Sequence, residues 1–247
     1  MDFLKNDETV EDLQYKNLKI IQSKEGFRFG MDAVLLADFV KIKKSERVLD
    51  LCTGSGIIPI LLYGRKTAKK IYGIKIMPYV ADLAKRSVEL NGVEKSVEII
   101  EADIKNATEF FNKPLDVISV NPPFEKANKD KMSENEYRAV AKHELLCDFC
   151  DICEVSEKLL KFGGRFYLVH RVTRLTEIIE TMKRFNLQPK RIRFVYTKVN
   201  GKANLVLIEG LKNGKEGLSV EYPLFVRDED GNYTKEIHRI YHRSEES

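Results

Sequence analysis

Between residues 47 and 169, short apolar runs of β character alternate with stretches of helical periodicity, and this alternation limits the possible folds more than any other feature of the chain. Runs at 47–51, 70–76, 97–100, 115–120 and 165–169 predict strands, and patterns at 57–64, 78–91, 104–111, 136–161 and 173–185 predict helices between and after them. Within 78–91, Val80, Leu83, Ala84, Val88 and Leu90 fall on or near one face, and Asn91-Gly92 is a stop signal. Repeated β-then-α units predict a parallel sheet covered by helices on both faces, an α/β fold. After that the rule changes. Two β runs at 191–199 and 204–210, joined by Asn200-Gly201, predict an antiparallel hairpin. A further short hairpin is expected over 218–241, turning at Asp230-Gly231. In such sheets ligands bind beyond the carboxyl ends of the strands, at the point where strand order reverses.

With 247 residues, 43% of them hydrophobic, the chain can bury the core of a single α/β unit with an appendage. Its longest purely apolar stretch, 57–63, is far shorter than the roughly 20 residues of a membrane helix, so no membrane partner is expected. Residues 1–12 carry five acids and one Lys with no apolar centre, unlike a secretory signal, and four cysteines do not suggest a disulfide framework. The expected compartment is the reducing cytoplasm. A net charge of +4 hides an uneven distribution: residues 158–202 hold twelve Lys and Arg against Glu177 and Glu180, with Phe166, Tyr167, Phe194 and Tyr196 interleaved. Basic side chains among aromatics suit RNA or a single strand; an ordinary solvated face is the alternative.

Two motifs carry chemistry. Asp50-Leu-Cys-Thr-Gly-Ser-Gly56 stands where the first of these strands feeds a helix, so Gly54 and Gly56 let the backbone turn tightly and approach a ligand. The phosphate-loop pattern is missing, and Pro59 stands where a dinucleotide fingerprint has its third Gly. Asp50 at the strand end suits a cationic partner, such as the amino group of a methionine-like ligand. Asn121-Pro-Pro-Phe124 directly follows the fourth strand. Its prolines stiffen the backbone and remove two donors, which leaves the Asn121 side-chain oxygen and the Pro122 carbonyl as acceptors beside the Phe124 ring. That set fits a planar ligand with an exocyclic NH2, held by two hydrogen bonds and stacked on the aromatic face.

With both motifs in place, the chain resembles the class I S-adenosylmethionine-dependent methyltransferases that methylate amino groups. Gly26-Phe-Arg-Phe-Gly-Met-Asp-Ala-Val-Leu-Leu-Ala37, Ala-Lys-His-Glu144 and Val-His-Arg171 make it similar to the bacterial tRNA adenine-N6 methyltransferase family, which acts beside the anticodon of a valine tRNA. The resemblance covers roughly residues 15–240 and implies a Rossmann-like sheet of seven strands, the last antiparallel. It implies S-adenosyl-L-methionine as cofactor, RNA (a tRNA) as partner and no metal, and leaves the oligomeric state open. By motif position, Asp50, Gly54 and Gly56 would hold the methionine part of the cofactor, and Asp103 its adenine amino group. Asn121, Pro122 and Phe124 would hold the target base, and Arg28 and Phe29 would cover the cofactor mouth. The implied organisation is an N-terminal segment and covering loop at 1–30, a catalytic domain at 31–212 and a C-terminal β-hairpin extension at 213–247.

Two positions depart from the family pattern. Lys75 stands at the end of the second strand, where the family places an acid for the ribose hydroxyls, and a Lys offers donors only. A basic group there would suit the 2′-phosphate of NADP in a dinucleotide enzyme, but Asn-Pro-Pro-Phe has no role in hydride transfer. Phe124 replaces the commoner Tyr and also occurs in ribosomal guanine-N2 methyltransferases. Protein glutamine methylation, which uses the same motif, and an RNA-binding relative with little turnover are the further alternatives. Cys147, Cys150 and Cys153 with His143 mimic a metal set, but on one helix His143 and Cys153 would lie about 15 Å apart, which favours a buried helix face. Cys52 reads as a packing residue, and His143 and His170 as packing or RNA contacts.

Overall fold

The computed structural model describes residues 4–5, 7–24, 29–65, 68–124 and 148–241. In chain order these form β1 (Glu8–Asp12), β2 (Lys19–Ser23), α1 (Met31–Phe39), β3 (Arg47–Leu51), α2 (Ile57–Arg65), β4 (Lys70–Lys75), α3 (Pro78–Leu90) and β5 (Val97–Glu101). There follow β6 (Leu115–Val120), α4 (Phe149–Leu159), β7 (Leu160–Arg171), α5 (Leu175–Arg184), β8 (Leu187–Lys198), β9 (Ala203–Lys212), β10 (Ser219–Val220), β11 (Leu224–Arg227) and α6 (Lys235–Ile240). Among the described residues, nine strands form one sheet in the order β10-β8-β9-β7-β6-β3-β4-β5, with β11 also on β8. Strands β3 to β7 run parallel, and β9 is antiparallel between β7 and β8.

Side chains alternate across the sheet as the period of two requires. Val48 and Val117 join a core with α1, α2 and α3, whereas Leu49, Leu51, Ile118 and Val120 join a second core with α4 and α5. Helices therefore cover both faces, as the sequence predicted. Local signals fix the helix ends: Pro78 opens α3, Gly92 at φ 64° follows its C-cap Asn91, and Asp148 and Asp151 close a reciprocal capping box at the start of α4. No helix among the described residues is long and apolar enough to cross a membrane.

The structure departs from the sequence reading at several places. The segment near 104–111 is a 3₁₀ helix, Ile104–Phe110, capped by Asp103. Of the helix expected over 136–161 only Phe149–Leu159 is seen, since 125–147 lies outside the described residues. Seven strands become nine because β10 and β11 each pair in parallel with β8. The C-terminal hairpin is thus replaced: a turn does form at Gly231, with an antiparallel bridge between Arg227 and Tyr233, but Thr234 then caps α6. The acidic N-terminus is also structural, because β1 and β2 form a hairpin and Glu8 takes both Nη atoms of Arg86 at 2.7 Å.

Candidate functional site

The strand order reverses between β3 and β6, since β4 and β5 lie on one side of β3 and β6 and β7 on the other. Both sequence motifs leave the sheet there, at the carboxyl ends of adjacent strands. Asp50 pairs with Ser119 across β3 and β6, and the Ser119 hydroxyl donates to Asp50 Oδ1 at 2.6 Å. Asp50 is fully buried, and burial pushes its carboxyl up to about 7 against the opposing pull of the Ser119 hydroxyl. Its Oδ2 and the buried Thr53 hydroxyl make no hydrogen bond among the described residues. After β3 the backbone enters the left-handed region at Cys52 (φ 62°), Gly54 (φ 56°) and Gly56 (φ 92°). A Cβ added to Gly54 would meet no protein atom within 4 Å, so that glycine faces open space. This is the cradle a small cationic ligand needs: a buried carboxylate with a spare oxygen beneath an open, tightly turned backbone.

Of the other positions expected to hold a cofactor, Lys75 at the end of β4 and Asp103 just after β5 lie on the same edge, with unequal fit. Asp103 uses one carboxylate oxygen to accept from the Lys105 N–H at 2.9 Å. Lys75 ends β4 with only 9% of its surface exposed, and burial pushes its ammonium below the ordinary lysine range. A donor-only group there cannot accept from a ribose hydroxyl as a carboxylate would. Burial raises the Cys52 thiol to about 11, which makes it a poor nucleophile. Phe29 is half-buried, packs on the first core and donates its N–H to Gln22 Oε1 at 2.9 Å; Arg28 lies outside the described residues.

Beyond β6, Pro122 is buried and Asn121 and Phe124 are half-buried. Asn121 Nδ2 donates to Asp32 Oδ2 on α1 at 2.7 Å. The Phe124 ring lies 5.2 Å from the His170 ring and 5.4 Å from the Arg171 guanidinium carbon. Arg171 in turn donates to Asn204 Oδ1 at 2.8 Å. His170 is buried, and burial together with the nearby Arg174 lowers it to about 4, so the ring is neutral at pH 7. Its Nδ1 accepts from the Arg171 N–H at 2.8 Å, which leaves the proton on Nε2. The sequence reading of His170 as a packing or RNA-contacting residue agrees with its buried place against Phe124. Sequence reasoning missed Asp32, Ser119 and Asn204 altogether.

The basic stretch is less free than its charge count suggests. Arg165 pairs with Glu46, Lys161 with Asp116, Lys158 with Glu154, Arg174 with Glu177, Arg191 with Glu209 and Glu221, and Arg193 with Glu236. Lys198 and Lys202, exposed around the β8–β9 turn, lie with Arg171 at the carboxyl edge. Of the metal-like set, Cys153 is buried in the core, and Arg184 donates to Cys150 Sγ at 2.7 Å. His143 and Cys147 lie outside the described residues.

The profile of the methyltransferase small domain family matches residues 14–185. A protein of Aeromonas hydrophila named tRNA1(Val) (adenine(37)-N6)-methyltransferase is 25% identical over 224 residues, 89% of this chain and 91% of that protein. One of the same name from Shewanella amazonensis is 28% identical over 85% of this chain and 88% of its own length. The crystal structure of a predicted O-methyltransferase from Agrobacterium tumefaciens shares the fold with a TM-score of 0.68 at 20% identity, covering 86% of this chain and 96% of that one.

Proposed function

The chain belongs to the methyltransferase small domain family, and from this premise we propose that it methylates the exocyclic amino nitrogen of a base in RNA, using S-adenosyl-L-methionine. The names of its relatives support adenine-37 N6 of tRNA(Val) as the target. Residues 31–212 would be the catalytic unit, flanked by 1–30 and 213–247, working in the cytoplasm where tRNA is found. One observation carries the reading: Asn121, Pro122 and Phe124 leave the sheet beside the buried Asp50 and the open glycine turn, at the reversal of strand order.

The cofactor, when bound, supplies an electrophilic methyl group on a sulfonium. Asp50 and the turn at Gly54 and Gly56 would hold its methionine part, and Asp103 would accept from its adenine. Asn121 Oδ1 and the Pro122 carbonyl accept the two hydrogens of the target amine while Phe124 stacks on the base, so the nitrogen lone pair points along the line of attack. That nitrogen would receive the methyl carbon from the bound cofactor, which keeps the electron pair of its carbon–sulfur bond. The surplus proton on the nitrogen, strongly acidic at that point, leaves to water. No side chain needs to act as a base beforehand. Extruding the base from its stack requires a contact surface, which the Phe124, His170 and Arg171 cluster supplies.

Lys75 favours a second reading, a relative that binds RNA with little turnover. Transfer of tritiated methyl to total tRNA, rRNA and protein, followed by nucleoside analysis, separates the two. N6-methyladenosine in tRNA, lost in Asn121→Ala, is expected. Label in protein alone, in guanine, or in nothing while RNA still binds would overturn the proposal.

A further inference from the structure

An amide presents an acceptor on one side and a donor on the other, and only its acceptor can hold the amino group of a base. Asn121 therefore works in one of two orientations, and its own backbone does not choose between them. Asp32 Oδ2 lies 2.7 Å from the amide, and a carboxylate is acceptor-only when ionised. The atom facing it must be Nδ2, and Oδ1 is turned towards the other side. Asp32 lies in the first turn of α1, just after its cap residue Gly30. Gly30 is shaped to admit it: a Cβ at Gly30 would stand 2.3 Å from Asp32 Oδ1. The φ of −101° and ψ of 179° at Gly30 suit any residue, so the missing side chain serves the carboxylate rather than the backbone.

We propose that Asp32 is the positioning residue for Asn121, seated over Gly30 so that it takes the amide NH2 and fixes Oδ1 as the acceptor for the target amine. This rests on the methyl-transfer reading above. The amide of Asn121 is then polarised by a charged partner, and its oxygen becomes the better acceptor. The partnership joins the segment before β3 to the loop after β6, across 89 positions of sequence.

The test uses the full chain, with steady-state methylation of tRNA and cofactor affinity measured by calorimetry. Asp32→Ala should lower kcat about ten- to hundredfold, the loss expected for one charge-assisted hydrogen bond, while KM for RNA and the cofactor Kd change less than threefold, roughly. Asp32→Asn retains an acceptor for Nδ2 and should recover most of the rate. Asn121→Asp sets two carboxylates against each other, so its residual rate should fall as pH rises and the shared proton is lost. The exchange Asp32→Asn with Asn121→Asp restores a donor facing an acceptor. It should exceed Asn121→Asp alone by about tenfold and lose that pH dependence. Asp32→Ala at full kcat beside an inactive Asn121→Ala overturns the inference alone. An exchange variant that binds cofactor normally but gains nothing overturns it too. A wild-type chain that labels no RNA overturns the functional reading and this inference with it.

Discussion

Arg165, which pairs with Val117 near the start of β6, and Arg171, at the end of β7, lie towards opposite edges of the sheet, and their surroundings show how differently those edges are built. At the amino end Arg165 is bound to Glu46, and the Glu46 carboxylate also accepts from the Lys43 N–H at 2.6 Å. Lys161 nearby meets Asp116 at 2.6 Å, and Asp116 accepts from the Arg47 N–H at 2.8 Å. At the carboxyl end Arg171 has, among the described residues, only the neutral Asn204 as a side-chain hydrogen-bond partner, and it lies over Phe124. On the same edge the buried Asp50 has an oxygen with no partner among the described residues, Cys52 takes a strained backbone conformation and His170 is held neutral. One edge satisfies its polar groups internally and supports the fold. The other leaves them for something else to satisfy, which is how a binding site is paid for in stability.

The largest expected effect lies at the amino end. Arg165→Ala strips the partner from a Glu46 side chain that is only 9% exposed, and should lower stability by about 3 kcal/mol in chemical denaturation. Methylation by the molecules that stay folded should be unchanged; a loss of kcat equal to the loss of stability would dissolve the contrast between the two edges.

Asp50→Asn should act in the opposite sense. Burial raises the Asp50 carboxyl from an ordinary 3.8 to about 7, so its contribution to stability is complete below 3.8 and is lost as pH rises through about 7. His170 runs the other way: lowered from 6.5 to about 4, its contribution is complete above 6.5 and is lost as pH falls through about 4. Between about 4 and 6.5 the two slopes oppose each other. Asn at position 50 keeps an acceptor for Ser119 and cannot ionise, so the variant should be more stable at pH 8, by about 2 kcal/mol, and nearly equal to wild type at pH 4. It should also show the His170 slope uncompensated and bind the cofactor more weakly. A melting-temperature series over pH 4–8 with equal values for both proteins would sink this.

Arg171→Ala should reduce kcat/KM for tRNA roughly tenfold, about 1.4 kcal/mol, with the melting point unchanged, since one face of the Phe124 platform is removed. An equal effect from Lys183→Ala, on the last turn of α5, would restore the undivided basic stretch as the RNA surface.

The parts of this contrast visible in sequence are those fixed locally. Strand alternation, the glycine turn and Asn-Pro-Pro-Phe each lie within a few neighbouring residues, and the structure brings both motifs to one edge. What could not be read is what depends on partners distant in the chain. The charge of 158–202 was counted without Glu46, Glu209 or Glu236, which reach it only across the folded sheet. Asp32 was hidden for the same reason, since its partner is 89 residues away. The turn at Asp230-Gly231 was a true signal with a wrong consequence: the strand before it finds β8, and the chain after it has Thr234 to start a helix.

The smallest effect concerns the one carboxyl-edge residue whose chemistry runs against the proposed ligand. Lys75 is buried and offers donors only, so it can donate to a hydroxyl but cannot accept from one as the acid of the family pattern would. Lys75→Glu places an acceptor pair at the end of β4 and removes a cation from a site meant for a sulfonium and an amine. Part of that gain is spent on desolvating the new carboxylate. Cofactor binding should therefore tighten only about fivefold, near 1 kcal/mol by calorimetry, with no change in RNA affinity. An unchanged or weaker Kd in a variant that melts like the wild type would mean that Lys75 meets some other part of the ligand, and that this edge was built for a cofactor bearing negative charge.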